Sequence, residues 1–155
     1  MEKDEKKDDK RERLKTRLDW YRRADMRLRV LYAKKKRLEQ EKMTPISGIK
    51  YSSMPKAAYN TTDQAADIPL RIAEVEEDIR QQAAKKAAAR THVAAVLRRL
   101  PEDSAGRQIA EMRHLDLMMW EDIQQITCRS RSNCNLHYQK ALDALLEMET
   151  EKEAD

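Results

Sequence analysis

The chain has 155 residues, of which 39% are charged and only 5% aromatic, with no Phe and two Gly. This composition excludes a large apolar core and is typical of long exposed helices rather than of a compact α/β enzyme. The net charge is +4, but residues 1–42 carry 17 Lys and Arg against 10 Asp and Glu, and such a basic segment favours a polyanionic partner such as nucleic acid.

The alternating pattern of strands and the Gly-rich turns that join them are absent from the sequence, so we expect an all-α protein. The predicted architecture is a long antiparallel helical hairpin, coiled-coil-like, followed by a small C-terminal three-helix unit. We place the boundaries by changes in pattern. The predicted segments are a charged, disordered arm over residues 1–11, the hairpin over 12–100 with a loop at 43–61, the C-terminal unit over 101–148, and an acidic tail over 149–155.

The first long helix is predicted from about Glu12 to Lys42, a stretch without Gly or Pro. Residues 1–11 before it mix both signs of charge, which is typical of a solvated terminus. The apolar stripe of the helix is narrow, so the helix must pack on another segment or on a second copy of the chain. We therefore expect a homodimer. The stripe consists of Leu14, Leu18, Tyr21, Leu28, Leu31 and Leu38.

The second long helix is predicted from Thr62 or Asp67 to about Arg99, after a loop over residues 43–61 that is rich in Pro, Gly and Ser. Pro69 fits the first turn of the later start and would kink the helix with the earlier start. The sequence leaves both open. The apolar side of this helix is predicted to carry Ile68, Ile72, Val75, Ile79, Ala89, Val93, Val96 and Leu100.

Three shorter helices are predicted over residues 101–148, the last two joined by a tight turn at residues 127–129. Ser130 is a good N-cap for the last of them. We expect Trp120 to be the main apolar contact of this unit. The side chains predicted to face its core are Ile109, Met112 and Leu115 of the first helix, Trp120, Ile123 and Ile126 of the second, and Cys134, Tyr138, Ala141, Leu142 and Leu145 of the third.

The outward face of the last helix is rich in side chains that hydrogen-bond base edges and phosphates. No acidic residue lies between Arg129 and Lys140. We expect Arg131, Asn133 and Asn135 to read bases in the major groove of double-stranded DNA, while Arg129 and Lys140 hold phosphates. The full predicted DNA-binding set is Arg129, Ser130, Arg131, Ser132, Asn133, Asn135, His137, Gln139 and Lys140.

Other classes of function make different demands on the sequence. There is no nucleophile motif, phosphate loop or metal-ligand cluster, so we predict neither an enzyme nor a cofactor, metal or small-molecule substrate. Cys128 and Cys134, with His137 nearby, do not have the paired short spacing of structural zinc. No apolar run is long enough for a membrane span or a signal peptide.

The serious alternative to DNA binding is a helical adaptor or structural protein that acts through the long hairpin, including a phage packaging or host-takeover role.

The C-terminal pattern also carries a resemblance. The order LP, MRHLDLMMWEDI and SRSNCNLHYQKALDAL resembles the region-four helix-turn-helix of sigma factors. Together with ISGIKYSSMP and AEVEEDI, residues 20–146 resemble the RinA/ArpU-type late transcriptional regulators of phages and prophages of Gram-positive bacteria. The resemblance implies that Trp120, Glu121 and Ile123 begin the first helix of the reading unit and that Ser130 and Arg131 open the recognition helix.

That resemblance further implies a transcriptional regulator in the cytoplasm of a bacterial host cell, with RNA polymerase as a potential partner. The chain departs from the family pattern at Gln124, where a small residue is usual, and at Cys128 and Arg129, where the family often has Gly or Asn. Because neither residue offers the easy positive φ of glycine, we expect the turn before the recognition helix to be looser or differently built.

Overall fold

The computed structural model describes residues 1–43 and 57–155, with side chains from residue 67 onward in the second range. These residues form helices and no strand, which confirms the all-α prediction. Residues 44–56 of the predicted loop 43–61 lie outside the described residues. The helices are α1 (Glu2–Leu18), α2 (Trp20–Met43), α3 (Ala57–Leu97), α4 (Ala105–His114), α5 (Trp120–Thr127) and α6 (Arg131–Ala154).

Helix α1 occupies the segment where the sequence predicted a disordered arm, residues 1–11. Its first turn is acidic, which suits the positive end of the helix dipole. Nε and Nη2 of Arg11 donate to the two carboxylate oxygens of Asp143 in α6, both at 2.7 Å, and Nζ of Lys7 lies 3.5 Å from the same carboxylate. The arm is helical because its charges pair within α1 and with a helix far away in the sequence.

The first predicted long helix is divided in two. Helix α1 ends at Leu18, and α2 begins at Trp20. Asp19 between them keeps near-helical dihedral angles, with φ −75° and ψ −1°. The second predicted long helix begins earlier than either predicted start, at Ala57, so Pro69 lies inside α3 rather than in its first turn.

The chain divides into two compact units that differ from the predicted domains. One unit comprises Met1–Ala24 and Lys86–Asp155, and the other comprises Asp25–Lys85. The predicted boundary at residue 100 does not separate the packing, because α1 and the end of α3 share one core with α4, α5 and α6. The buried members that α1 and α3 contribute are Leu14, Leu18, Val93, Val96 and Leu97, and Leu100 joins them just after α3.

Most core predictions for the larger unit are confirmed, since Ile109, Ile123 and the whole predicted stripe of α6 are buried. The prediction for Ile126 is wrong, because 59% of this residue is exposed. With 3.6 residues per turn, the inward position after Ile123 is reached at Thr127 instead. The hydroxyl of Thr127 lies 3.6 Å from the buried thiol of Cys134.

The smaller unit has a core formed by α2 and α3. Leu28 and Leu38 pack with Val75 and Ile79, and Leu31 and Ile72 are partly buried against them. All six residues lie on the predicted apolar sides of their helices. Nζ of Lys35 adds an ion pair with Glu76 across the two helices, at 3.5 Å. Over both described ranges of the chain, no helix has an apolar stretch long enough to cross a membrane.

Candidate nucleic-acid interface

A three-residue connection joins α5 to α6. Cys128 ends α5 in the left-handed conformation, with φ 53° and ψ 39°, and the N–H of Arg129 returns to the carbonyl of Gln124 at 3.2 Å. Ser130 then caps α6, as predicted, with its Oγ accepting from the backbone N–H of Asn133 at 3.2 Å. The positive φ that glycine adopts more easily is therefore supplied here by Cys128.

Apart from the cap Ser130, the predicted DNA-binding residues lie in three rows along α6 and the residues just before it, because side chains four residues apart share a helix face. The first row is formed by Arg129, Asn133 and His137. Nη1 of Arg129 donates to Oδ1 of Asn133 and to Nε2 of His137, both at 2.9 Å. These half-buried side chains are therefore held together, and the guanidinium group of Arg129 fixes both of its neighbours.

The second row faces solvent directly. Ser132, Leu136 and Lys140 are all exposed, and 51% of Leu136 is accessible. This row lies opposite the buried stripe of Cys134 and Tyr138 on a helix of 3.6 residues per turn. Leu136 was not in the predicted set because an apolar residue gives no hydrogen-bonding signal in a sequence.

The third row is formed by Arg131, Asn135 and Gln139. Arg131 and Asn135 are exposed, whereas Oε1 of Gln139 is buried and, within the described residues, has no hydrogen-bond partner. The guanidinium carbon of Arg131 lies 5.1 Å from the ring centroid of Trp120 at the start of α5. The predicted base-reading residues thus do not share one face, since Arg131 and Asn135 flank the outward row on one side and Asn133 on the other.

Trp120 is only partly buried, although the sequence predicted it as the main apolar contact. Its ring meets Tyr138 edge-on, with centroids 5.3 Å apart. Arg113, the penultimate residue of α4, places its guanidinium carbon 5.2 Å from the same indole centroid. Two arginines therefore share one aromatic ring at the side of α6, and each gains cation–π stabilisation there.

A cleft of about 270 Å³ opens beside this ring, bounded by side chains from four helices and from the residue between α1 and α2. Its walls bring together three cationic side chains and one carboxylate. The residues that α1 and α4 add to this cleft were not predicted, because nothing in the sequence pattern places those helices beside α6. The lining residues are Lys15, Asp19, Arg113, His114, Trp120, Arg131, Asn135 and Tyr138.

Buried polar contacts support the floor of the cleft. The ring of His114, only 1% exposed, has Nε2 2.8 Å from the hydroxyl of Tyr138 and Nδ1 3.2 Å from Oδ1 of Asp19. The contact with His114 holds the pKa of Asp19 below its ordinary value. Burial raises the pKa of Tyr138, so its hydroxyl stays protonated at neutral pH. His114 thereby links α4 to α6 through Tyr138 and lies beside the junction of α1 and α2.

Positive charge exceeds negative charge in the cleft, where Lys15, Arg113 and Arg131 face a single carboxylate, Asp19. Partial burial lowers the pKa of Arg113, the positive charges of Arg22 and Arg131 lower it further, and Asp19 acts in the opposite direction.

Within the part of the chain that the structure describes, no group of three or more His, Cys, Asp or Glu converges as metal ligands. Comparison with protein-family models, with curated proteins and with solved structures gives no match to this chain.

Proposed function

We propose that the chain binds double-stranded DNA in a sequence-specific manner by placing the N-terminal half of α6 in the major groove. The observation that carries the proposal is the chemistry of the first three turns of this helix. Its accessible side chains there are amides, hydroxyls, cations and one leucine, and the first carboxylate is Asp143. A helix presented in this way fits the width of the major groove.

The three rows of side chains have different roles in the proposed contact with DNA. Ser132 and Leu136 lie on the outermost line, where a hydroxyl can bond a base edge and an apolar side chain can contact a thymine methyl group. Asn133 and Asn135 flank that line and offer amides for bidentate contacts to adenine. The positive end of the helix dipole, at the Ser130 cap, further favours the approach of the DNA backbone.

Phosphate contacts are assigned to cations at the edges of the same surface. Lys140 is exposed on the outward row, and Arg129 lies at the start of the helix, held by Asn133 and His137. Contacts of this kind fix the register of a protein on the duplex without reading its sequence. The connection from α5 to α6 would then serve as a helix-turn-helix, with α5 crossing above the groove.

Regulation of transcription is the role that we propose for this binding, in the manner of the phage regulators that residues 20–146 resemble. Contact with RNA polymerase belongs to the same proposal. Two copies of the chain bound to a two-fold symmetric site would place two α6 helices in successive major grooves. The support for these further steps is the sequence resemblance and the narrow apolar stripe of the first long helix.

The test begins with selection of preferred duplexes from a random library by the full chain. Binding to the selected duplex and to a scrambled duplex is then measured by fluorescence anisotropy at two salt concentrations. Asn135→Ala should weaken binding to the selected sequence by about 1–3 kcal/mol and leave scrambled DNA almost unchanged. Lys140→Ala should weaken binding to both duplexes and make it less dependent on salt, because one phosphate is then no longer neutralised.

Lys152→Ala is the matched control, because Lys152 is an exposed cation on the same helix but lies in its last turn. This variant should bind both duplexes as the parent does. If the parent protein binds no duplex at low salt, or if Asn135→Ala and Lys140→Ala behave like the control, α6 does not contact DNA in this way.

A second candidate function is favoured by one observation in the smaller unit. Met26 and Val30 of α2 are 61% and 66% exposed and line a groove of about 530 Å³ with residues of α3. Exposed apolar side chains of this kind are typical of protein-binding surfaces. A helical adaptor acting through this surface would show no difference between selected and scrambled DNA, so the same binding measurements separate the two functions.

A further inference from the structure

The cleft beside Trp120 contains more positive charge than its own residues neutralise. Among the described residues, Arg113 and Arg131 have no carboxylate within ion-pair distance, whereas Lys15 pairs with Glu12 at 2.8 Å and Asp19 faces His114 at 3.2 Å. Asp19, the carboxylate that lines the cleft, acts on Arg113 through its charge alone. Two guanidinium groups thus converge on one indole ring without an ion pair to any described carboxylate. Each presents several N–H donors in a planar fork that suits the oxygens of a phosphate group.

The position of one of these arginines is fixed by backbone acceptors. Nη1 of Arg113 donates to the carbonyl of Met118 at 3.0 Å. Nη2 of Arg22 donates to the carbonyls of Arg113 and Met118, at 2.8 and 3.2 Å. The guanidinium group of Arg113 is therefore held at the mouth of the cleft before any ligand arrives, which reduces the entropy cost of binding.

The size and openness of the cleft suit a small anion. Its volume of about 270 Å³ corresponds to roughly nine water molecules in the liquid. Asn135 adds an exposed amide to the wall, and the hydroxyl of Tyr138 is engaged by His114 at 2.8 Å on the floor. An entering anion would meet N–H donors from two helices beside the ring of Trp120.

We propose that Arg113 and Arg131, supported by Trp120 and Lys15, form a binding site for a phosphate group. The proposal rests on the proposed function for the source of that group, a phosphodiester of the DNA backbone on the flank of the groove that α6 occupies. Arg131 then holds the backbone rather than reading a base, which changes the role that its place in the sequence suggested. Residues of α1 and α4 thereby take part in DNA binding.

The test compares Arg113→Gln and Arg131→Gln with the parent protein on selected and scrambled duplexes over a range of salt. Each variant should bind both duplexes more weakly, on the order of tenfold. The slope of log affinity against log salt should decrease by about 0.9 for each phosphate that the variant no longer neutralises. Arg98→Gln is the matched control, because Arg98 is an exposed arginine just after α3 and does not line the cleft. Thermal midpoints show whether each variant is folded.

Duplexes with a single neutral methylphosphonate locate the phosphate. At the position that the cleft contacts, the parent should bind more weakly, whereas the affinity of Arg113→Gln should not fall any further. If the parent binds DNA and both arginine variants keep its affinity and salt slope, the cleft does not hold a DNA phosphate, while the proposed function stands.

A second measurement needs no DNA. Inorganic phosphate is titrated into Trp20→Phe protein, in which Trp120 is the remaining tryptophan, and the fluorescence of Trp120 is followed. A saturable change that Arg113→Gln removes supports the site even if no duplex binds, in which case only the proposed function fails. A phosphate response combined with unchanged DNA binding in the arginine variants overturns the assignment to the DNA backbone.

Discussion

Helices α4 and α6 can approach each other closely because Gly106 in α4 has no side chain. A Cβ at this position would lie 2.7 Å from the carbonyl oxygen of His137 and 2.8 Å from Cβ of Ala141, and both neighbours belong to α6. Overpacking of this kind costs about 1–3 kcal/mol, against a gain of about 1 kcal/mol for alanine over glycine in a helix. Gly106→Ala should therefore lower the free energy of unfolding, measured with urea, by up to about 2 kcal/mol.

The double variant Gly106→Ala with Ala141→Gly tests the reason for that destabilisation. Removing Cβ of Ala141 takes away one of the two clashes, so the coupling between the substitutions should be favourable. A single variant as stable as the parent would show that α4 can move away from α6 at no cost.

The ion pair between Arg11 and Asp143 makes the docking of α1 depend on pH. The hydrogen bond from Arg11 is the main cause that holds the pKa of Asp143 below its ordinary value of 3.8. A carboxylate whose pKa is lowered by folding stabilises the folded state above pH 3.8 and loses that contribution as the pH falls through the lowered value. Asp143→Asn should lower the free energy of unfolding by about 1 kcal/mol at pH 7.

The difference between Asp143→Asn and the parent should shrink as the pH falls below 3.8. Asp9→Asn is the control, because the carboxylate of Asp9 pairs with Arg13 on the surface and its side chain is 59% exposed. That variant should stay within a few tenths of a kcal/mol of the parent at every pH. A pH-independent destabilisation in Asp143→Asn would mean that packing, rather than charge, is what Asp143 contributes.

At the scale of secondary-structure elements, the connection from α5 to α6 depends on the left-handed residue Cys128. A residue with a Cβ costs roughly 1–2 kcal/mol in this conformation relative to the right-handed one, and glycine avoids most of that cost. Cys128→Gly should therefore be more stable than Cys128→Ala by about 1 kcal/mol. Both variants remove the thiol, so the comparison isolates the backbone.

Thermal unfolding followed by circular dichroism measures this difference. If Cys128→Gly is no more stable than Cys128→Ala, the residue is not left-handed in solution, and the aim of α6 relative to α5 differs from the one described. DNA binding by Cys128→Gly should match the parent, because residue 128 lies before the α6 rows.

At the scale of the whole molecule, the smaller unit exposes apolar side chains beside a groove. Among its described residues, four apolar side chains form a buried cluster and two more are partly buried against it, while Met26 and Val30 are exposed beside the groove. Arg27, Asp78 and Lys85 also line this groove, and a second copy related by two-fold symmetry could pair the opposite charges. We therefore predict a dimer through the groove.

Light scattering on the order of tens of micromolar protomer decides this prediction. Val30→Glu should shift the protein toward monomer, because the new carboxylate would be buried in the interface. Tyr32→Glu is the control, since Tyr32 is also 53% exposed on α2 but does not line the groove. A parent protein that is strictly monomeric would remove the dimer and the expectation of a two-fold symmetric DNA site.

Local periodicity in the sequence determined which side of most helices is buried. Leu14, Val75, Val93 and Leu142 recur at helical spacing with apolar partners, and the pattern alone predicts their burial. The Ser130 cap was predictable for the same reason, since a cap bonds to a backbone N–H only three residues away. Both patterns depend on residues close together in the sequence, so they can be recognised without knowledge of the fold.

Only the tertiary structure decided where charged and aromatic side chains meet. Arg11 and Asp143 are 132 residues apart, and no spacing rule connects them, so the helicity of residues 1–11 could not be predicted. Arg113 and Arg131 come together because α4 and α6 bring them to one ring, that of Trp120. The sequence shows how many cations a helix carries, whereas the packing of the other helices decides which of those cations lie side by side.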